Sequence, residues 1–266
     1  MHPIERLRMV ARAAGEGPAL VAQEAAGALV AFGDDPAGLV TACRRLVDRQ
    51  PTSGPIWWLA ARVLCASEPA EEAWRAVERL DHDPTAEEVA AAIPDGAVVT
   101  AVGLGEHLGD GLARRGDVEV FLVETDIADR GWLRRLHRLG SDVEDVPASG
   151  LAAAVAESDL VLFEASALGR DGLVAPSGAR AAAAVGRHAG LPVWAVGGVG
   201  RALPGRLWDA LTARLHGDDE PWLAGEEVVP GDLVDGVLGP EGIQSLDEAV
   251  AQADCPLAPE LLKGVE

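Results

Sequence analysis

From Asp159 to Val196 the chain reads as strand, loop, helix and strand, and that one unit decides the class of fold. Leu160-Val-Leu-Phe163 is a short continuous apolar run, Gly178 opens an alanine-rich helical stretch, and Gly190-Leu-Pro192 stops it before Val193-Trp-Ala-Val196. Two buried strands joined across a helix run parallel, since the crossover returns the chain to the edge it left. The alternation extends upstream. Ala97–Val102, Val118–Val123 and the weaker Asp142–Val146 read as strands, with helical stretches ending near Arg115, Leu139 and Glu157. At least five strands separated by helices predict an α/β fold with a doubly wound, Rossmann-like parallel sheet covered on both faces. Sheets of this kind place ligands at the C-terminal ends of their strands.

The first ninety or so residues have a different period. Leu39, Val40, Cys43, Leu46 and Val47 share one helical stripe, as do Ala73, Trp74, Val77 and Leu80. Pro55-Ile-Trp-Trp-Leu-Ala-Ala-Arg-Val-Leu starts with a first-turn proline and reads as a buried helix. Thr85-Ala-Glu-Glu88 has the spacing of a capping box. The expected organisation is a helical domain over residues 1–94 and a Rossmann-like α/β domain over 95–266. Its closing segment is read as an extended strand at Glu226–Val229 followed by short helices.

Charge narrows the function. The formal net charge is −21 and the only lysine is Lys263. A field of that sign repels polyphosphate backbones and anionic lipid, so nucleic acid and membrane are excluded as partners. No apolar stretch approaches the ~20 residues of a membrane span. The beginning of the chain lacks the apolar run of a signal peptide. Cys43, Cys65 and Cys255 are odd in number and far apart, with no CxxC spacing, and the six histidines show no HExxH pattern. Neither a disulfide framework nor a metal site is expected, and the cytoplasm is the expected compartment.

Three places carry candidate chemistry, each with a plainer alternative. Gly103-Leu-Gly105-Glu-His-Leu-Gly109 sits where a strand turns into a helix; it would let backbone N–H groups cradle a phosphate, or be an ordinary turn. With Glu124 on a ribose hydroxyl it would make an NAD site, but GxGxxG is broken by Leu108. Glu124 and Glu164 at neighbouring strand ends would act as an acid–base pair or as helix caps. Gly197-Gly-Val-Gly200-Arg201 offers a guanidinium to an anion, or is a surface loop with a solvated arginine.

Taken in order, several segments resemble one superfamily. Gln50-Pro-Thr52-Ser is similar to an Arg-Pro-Thr-Ala segment, Glu124-Thr-Asp126 to Glu-Thr-Arg, Ser149 to a serine before a helix, and Asp171-Gly172 with Gly178 to an Asp-Gly…Ile-Gly-Thr region. Glu227-Val-Val-Pro230-Gly-Asp232-Leu resembles a C-terminal Asp-Val-Thr-Pro-x-Glu-Leu signature. These belong to the group that joins the α, β and δ regulatory subunits of translation initiation factor 2B to the isomerases of methylthioribose 1-phosphate and ribose 1,5-bisphosphate. The resemblance implies a helical domain before a Rossmann-like one, a homodimer, and a cleft holding a phosphorylated sugar or nucleotide without cofactor. It would draw on Thr52, Gly103, Gly105, Glu124, Ser149, Glu164, Ser166, Asp171, Gly178 and Arg201.

The departures from that pattern are chemical. The isomerases use a cysteine after the first strand and an aspartate after the fourth; in register these are Val102 and Ser166. Valine exchanges no proton, and serine needs an activating base. The arginine of Glu-Thr-Arg and the lysine near Gly178 are also absent, weakening any grip on phosphate. The expectation is a non-catalytic ligand-sensing or protein-binding member. The alternatives are an aldose–ketose isomerase using Glu124 and Glu164, and an NAD-binding oxidoreductase.

Overall fold

Prolines begin the helical layer. The protein is described by a computed structural model covering residues 18–32, 35–123, 129–215 and 220–263. Five helices in these residues precede the first strand: α1 (Pro18–Leu29), α2 (Pro36–Arg49), α3 (Gly54–Cys65), α4 (Pro69–Asp81) and α5 (Thr85–Ala92). Pro36, Pro55 and Pro69 stand in the first turns of α2, α3 and α4, where a missing N–H removes no helical hydrogen bond. The apolar α3 is buried along nearly its whole length, including Trp57 and Trp58. Its core continues into Trp208, Leu211 and Leu261, so the C-terminal segment completes the helical layer. Helix α5 turns the other way: Val89 and Ile93 pack with the sheet residues Val99, Val120 and Leu162.

The sheet follows the expected alternation. Strands β1 (Val98–Val102), β2 (Glu119–Val123), β3 (Asp142–Val146), β4 (Leu160–Glu164), β7 (Val193–Val196) and β9 (Gly236–Gly239) are parallel, and β10 (Gly242–Gln244) pairs antiparallel with β9. The order is β10-β9-β7-β4-β1-β2-β3. Helices α6 (Glu106–Ala113), α7 (Asp129–Leu139), α8 (Leu151–Ala156) and α9 (Ala179–Ala189) connect the strands from β1 to β7, and α10 (Gly205–Leu215) follows β7. All five residues of β4 are buried, as a strand covered on both faces requires.

Two local expectations are corrected. The segment after Glu164 is a hairpin, β5 (Ala167–Gly169) and β6 (Gly172–Pro176), turning at Arg170-Asp171. It pairs with β8 (Glu226–Pro230) in a separate three-stranded sheet, because Leu173, Val174 and Val229 bury their side chains between the layers. The short helices expected after β8 are present as α11 (Leu246–Ala251), with a capping box between Ser245 and Glu248, and as single 3-10 turns at Gly231–Leu233 and Pro259–Leu262. Between them the glycine-bounded Gly236-Val-Leu-Gly239 extends the main sheet. The capping box at Thr85 does not form: the Thr85 hydroxyl bonds back to Asp83 at 2.6 Å.

The C-terminal segment is tied to the helical layer through Asp254. Its carboxylate accepts from the buried Trp58 indole at 2.9 Å, from Arg62 at 2.6 Å, and from Arg79. Burial alone would raise this carboxyl, but the hydrogen bonds from Arg79 and Trp58 outweigh it and hold the group below the usual aspartate range. A depressed carboxyl stabilises the fold above the unfolded-state value and loses that contribution as pH falls through the folded value. Asp254→Ala is expected to cost about 1–3 kcal/mol at neutral pH, mainly through the orphaned indole N–H, since partial exposure discounts the arginine terms. Urea titrations at pH 7 and below pH 4 check this; the difference between variant and parent should shrink in acid.

Candidate functional site

The chain leaves β1 toward β2 and β3 on one side and toward β4, β7 and β9 on the other. Outside the carboxyl ends of β1 and β4 is therefore the crevice where sheets of this type hold ligands. Gly103, at φ +64°, turns the chain out of β1, and its N–H bonds the Val123 carbonyl at 3.0 Å. Positive φ of this size suits glycine. Helix α6 then starts with its N-terminus directed at Glu164, the last residue of β4.

The Glu164 carboxylate occupies that crevice. It is buried; one oxygen accepts the Leu108 N–H at 2.8 Å and the other pairs with Arg201. Arg201 also donates to the Ala165 carbonyl, and its Nε is buried with no hydrogen-bond partner. A Cβ at Gly105 would overlap the Glu164 carboxyl group. Gly105 is thus small because a protein carboxylate, already inside the molecule, packs against its backbone. Arg201 is 3% exposed, so it is neither a solvated loop arginine nor a free anion ligand. Each oxygen of Glu164 is thus engaged once, by a backbone N–H and by the Arg201 guanidinium, which holds the carboxylate inside the molecule.

Next to this pair stand residues that periodicity alone does not single out. Asp83, with its side chain 1% exposed, accepts from the Thr85 N–H at 3.0 Å and the Val199 N–H at 2.6 Å. His107 Nε2 lies 3.3 Å from the same carboxylate. Glu106, one residue earlier, has its carboxyl raised above the ordinary range chiefly by burial; His107 and Arg201 oppose this and the Glu164 charge reinforces it. The only sequence sign of this cluster was Asp83-Pro84-Thr85, an Asx-type start to a helix.

A second cluster forms around Ser166. The Gly54 N–H bonds the Ser166 carbonyl at 2.9 Å, which brings the turn carrying Thr52 against the end of β4. The Ser166 hydroxyl donates to Glu226 on β8. Gly178, at φ +100°, caps α9, and the Glu227 carboxylate accepts the N–H groups of Gly178 at 2.7 Å and Arg180 at 3.1 Å. Those are N–H groups without helical partners that would otherwise take an anion. Val102 is fully buried, and a Cβ at Gly178 would stand 3.6 Å from its side chain.

The remaining candidates lie apart from these clusters or outside them. Ser149 is exposed on a single helical turn before α8. Asp171 sits at the turn of the β5–β6 hairpin and accepts from the Trp208 indole at 2.6 Å. Glu124 lies outside the described residues. No group of three or more His, Cys, Asp or Glu side chains among the described residues is arranged to hold a metal ion. No described helix is long and apolar enough to cross a membrane.

No family model matches the chain, and no curated protein sequence matches it. Solved structures do. A translation initiation factor eIF-2B of Pyrococcus horikoshii OT3 superposes with a TM-score of 0.78 at 15% identity, covering 93% of this chain and 98% of that one. The tetrameric eIF2B-beta2-delta2 complex of C. thermophilum gives 0.76 at 20%, covering 94% and 92%. The 5-methylthioribose 1-phosphate isomerase of Pyrococcus horikoshii OT3 gives 0.63 at 14%, covering 93% and 86%.

Proposed function

For a chain with the fold shared by initiation factor 2B subunits and 5-methylthioribose 1-phosphate isomerase, we propose a non-catalytic role as a protein-binding module that assembles with a second copy or a related subunit. One observation carries the proposal: the helix N-termini at the strand ends are filled by the protein's own carboxylates. Glu164 takes the Leu108 N–H and Glu227 takes those of Gly178 and Arg180. A phosphate entering either place would have to displace a resident anion from its donors, within a protein of net charge −21. Val102 supplies no proton where the isomerase pattern has cysteine. A protein partner is supported by the exposed Trp222 and Leu223 and by the tetrameric assembly of one structural neighbour. A cytoplasmic location is part of the same proposal.

One feature favours a second reading, retained isomerase activity. Ser166 has an acceptor in Glu226, the activating base that a serine at the aspartate position would need. Phosphorus NMR of the protein with ribose 1,5-bisphosphate and with methylthioribose 1-phosphate separates the two. Unchanged resonances are expected. Product signals that vanish in Ser166→Ala would replace the proposal with an isomerase. Sedimentation mass measures the assembly; a monomer at all concentrations would remove that part.

A further inference from the structure

Two of the three cysteines meet although they stand far apart in sequence. Cys65 ends α3 and is exposed, whereas Cys255 is buried on the segment after α11. Arg62, one turn earlier on α3, donates to the Asp254 carboxylate at 2.6 Å and to the Asp254 carbonyl at 3.5 Å. The Cys65 thiol donates to the Leu257 carbonyl at 3.8 Å. These contacts lay residues 254–257 along the last turn of α3, with Cys255 between them. The Cys255 thiol turns to the Pro256 carbonyl at 3.7 Å and lies near enough to Cys65 for a charge there to raise it. Cys43 is buried in α2, and burial alone raises its thiol, so it has no such neighbour.

We infer that Cys65 and Cys255 are a redox pair that closes as an intramolecular disulfide under hydrogen peroxide. A disulfide needs Cα atoms within about 7 Å of each other, which a segment pinned to a helical turn on both sides of one cysteine can supply. The exposed Cys65 sulfur attacks one peroxide oxygen, the O–O bond breaks, and the released hydroxide takes the thiol proton as water. The Cys255 sulfur then attacks the sulfenic sulfur of Cys65; the S–O bond breaks, and hydroxide leaves with the Cys255 proton as water. Two thiols lose two electrons and two protons, and the peroxide is reduced to two waters. Burial and the Glu260 charge raise the Cys65 thiol, and burial pushes Cys255 up to about 12. Both are therefore protonated at neutral pH, and the pair closes slowly. For the same reason the reduced form gains nothing from a thiolate, and the bond resists reduction once made. Closure fixes the turn at Pro259–Leu262, whose Leu261 completes the core of the helical layer. The inference is independent of what the strand-end crevice does.

The experiment treats the folded chain with hydrogen peroxide, blocks the remaining thiols with N-ethylmaleimide in denaturant, and maps the peptides by mass spectrometry. A Cys65–Cys255 cross-linked peptide is expected, with Cys43 labelled. The melting temperature should rise by about 5 °C or more and fall back with dithiothreitol. Formation should quicken about tenfold for one unit rise in pH, as the thiolate fraction does well below the pKa. Cys255→Ala, which keeps a small apolar group in the buried place, should leave Cys65 to run on to sulfinic acid without a cross-link. The inference is overturned if Cys65 of the parent chain takes that same course while Cys255 stays labelled. It is equally overturned if the cross-link joins two molecules, or if all three thiols stay labelled under peroxide that oxidises free cysteine.

Discussion

Arg201→Met should lower the unfolding free energy by about 3–5 kcal/mol, because it leaves the Glu164 carboxylate buried without its counter-charge. The pair is enclosed at the meeting point of β4, the α6 N-terminus and the loop after β7. A second substitution, Glu164→Gln, removes the orphaned charge while keeping an oxygen for the Leu108 N–H. Arg201→Met/Glu164→Gln should therefore recover much of the loss, as buried ion pairs replaced as a unit usually do. Chemical denaturation of the parent, both single variants and the double variant gives the coupling directly. A single Arg201→Met variant that unfolds at the parental denaturant midpoint would refute a structural role for the pair.

Gly105→Ala carries the second large effect. The new methyl group would overlap the Glu164 carboxyl, and overpacking of this kind costs about 1–3 kcal/mol even where the neighbours are apolar. Here the displaced group is half of a buried ion pair, so the upper end is expected. Backbone conformation contributes nothing to the penalty: Gly105 has φ −76° and an extended ψ, open to any residue. Shortening the obstructing side chain should abolish the cost, so Gly105→Ala should be nearly neutral when Glu164→Ala and Arg201→Met are already present. If alanine at 105 costs the same in both backgrounds, the close packing of Glu164 against Gly105 is not the source of the glycine requirement.

Both variants bear on function. In a phosphate-binding turn, glycines bring backbone N–H groups to a ligand that comes and goes. Around Gly105 and Gly178 the same geometry surrounds carboxylates supplied by the chain itself. Glu164 and Glu227 accept N–H groups in the first turns of α6 and α9, and under the proposed function this offsets the electrostatic attraction that a sugar phosphate would use. The crevice also holds the loop after β7, through Arg201 on Glu164 and the Val199 N–H on Asp83.

Periodicity alone was enough to read the parallel sheet and the helical layer before it. A buried strand such as Leu160–Phe163 must be apolar on both faces, and a buried helix such as α3 must be apolar all round; both requirements are local and written in consecutive residues. The order of glycine-bearing strand ends was legible for the same reason. The β5–β6 hairpin was not, because it is three residues on one side and pairs with β8, some fifty residues later. Strand β9 was hidden by its shortness; only a place beside β7 makes Gly236-Val-Leu-Gly239 a strand.

The site divides along the same line. Its residue types were visible one by one: glycines at Gly103, Gly105 and Gly178, acids at Glu164 and Glu227, and an arginine at Arg201. What each does depends on distance in space. Arg201 is thirty-seven positions from Glu164, and Asp83 is 116 from Val199, so neither pairing leaves a mark on local pattern. The sequence determined the layers and strand ends, through periodicities that act over a few neighbouring residues. Tertiary structure alone decided that the anion-binding ends of α6 and α9 are filled from within, since electrostatic pairing is set by where the folded backbone brings each charge.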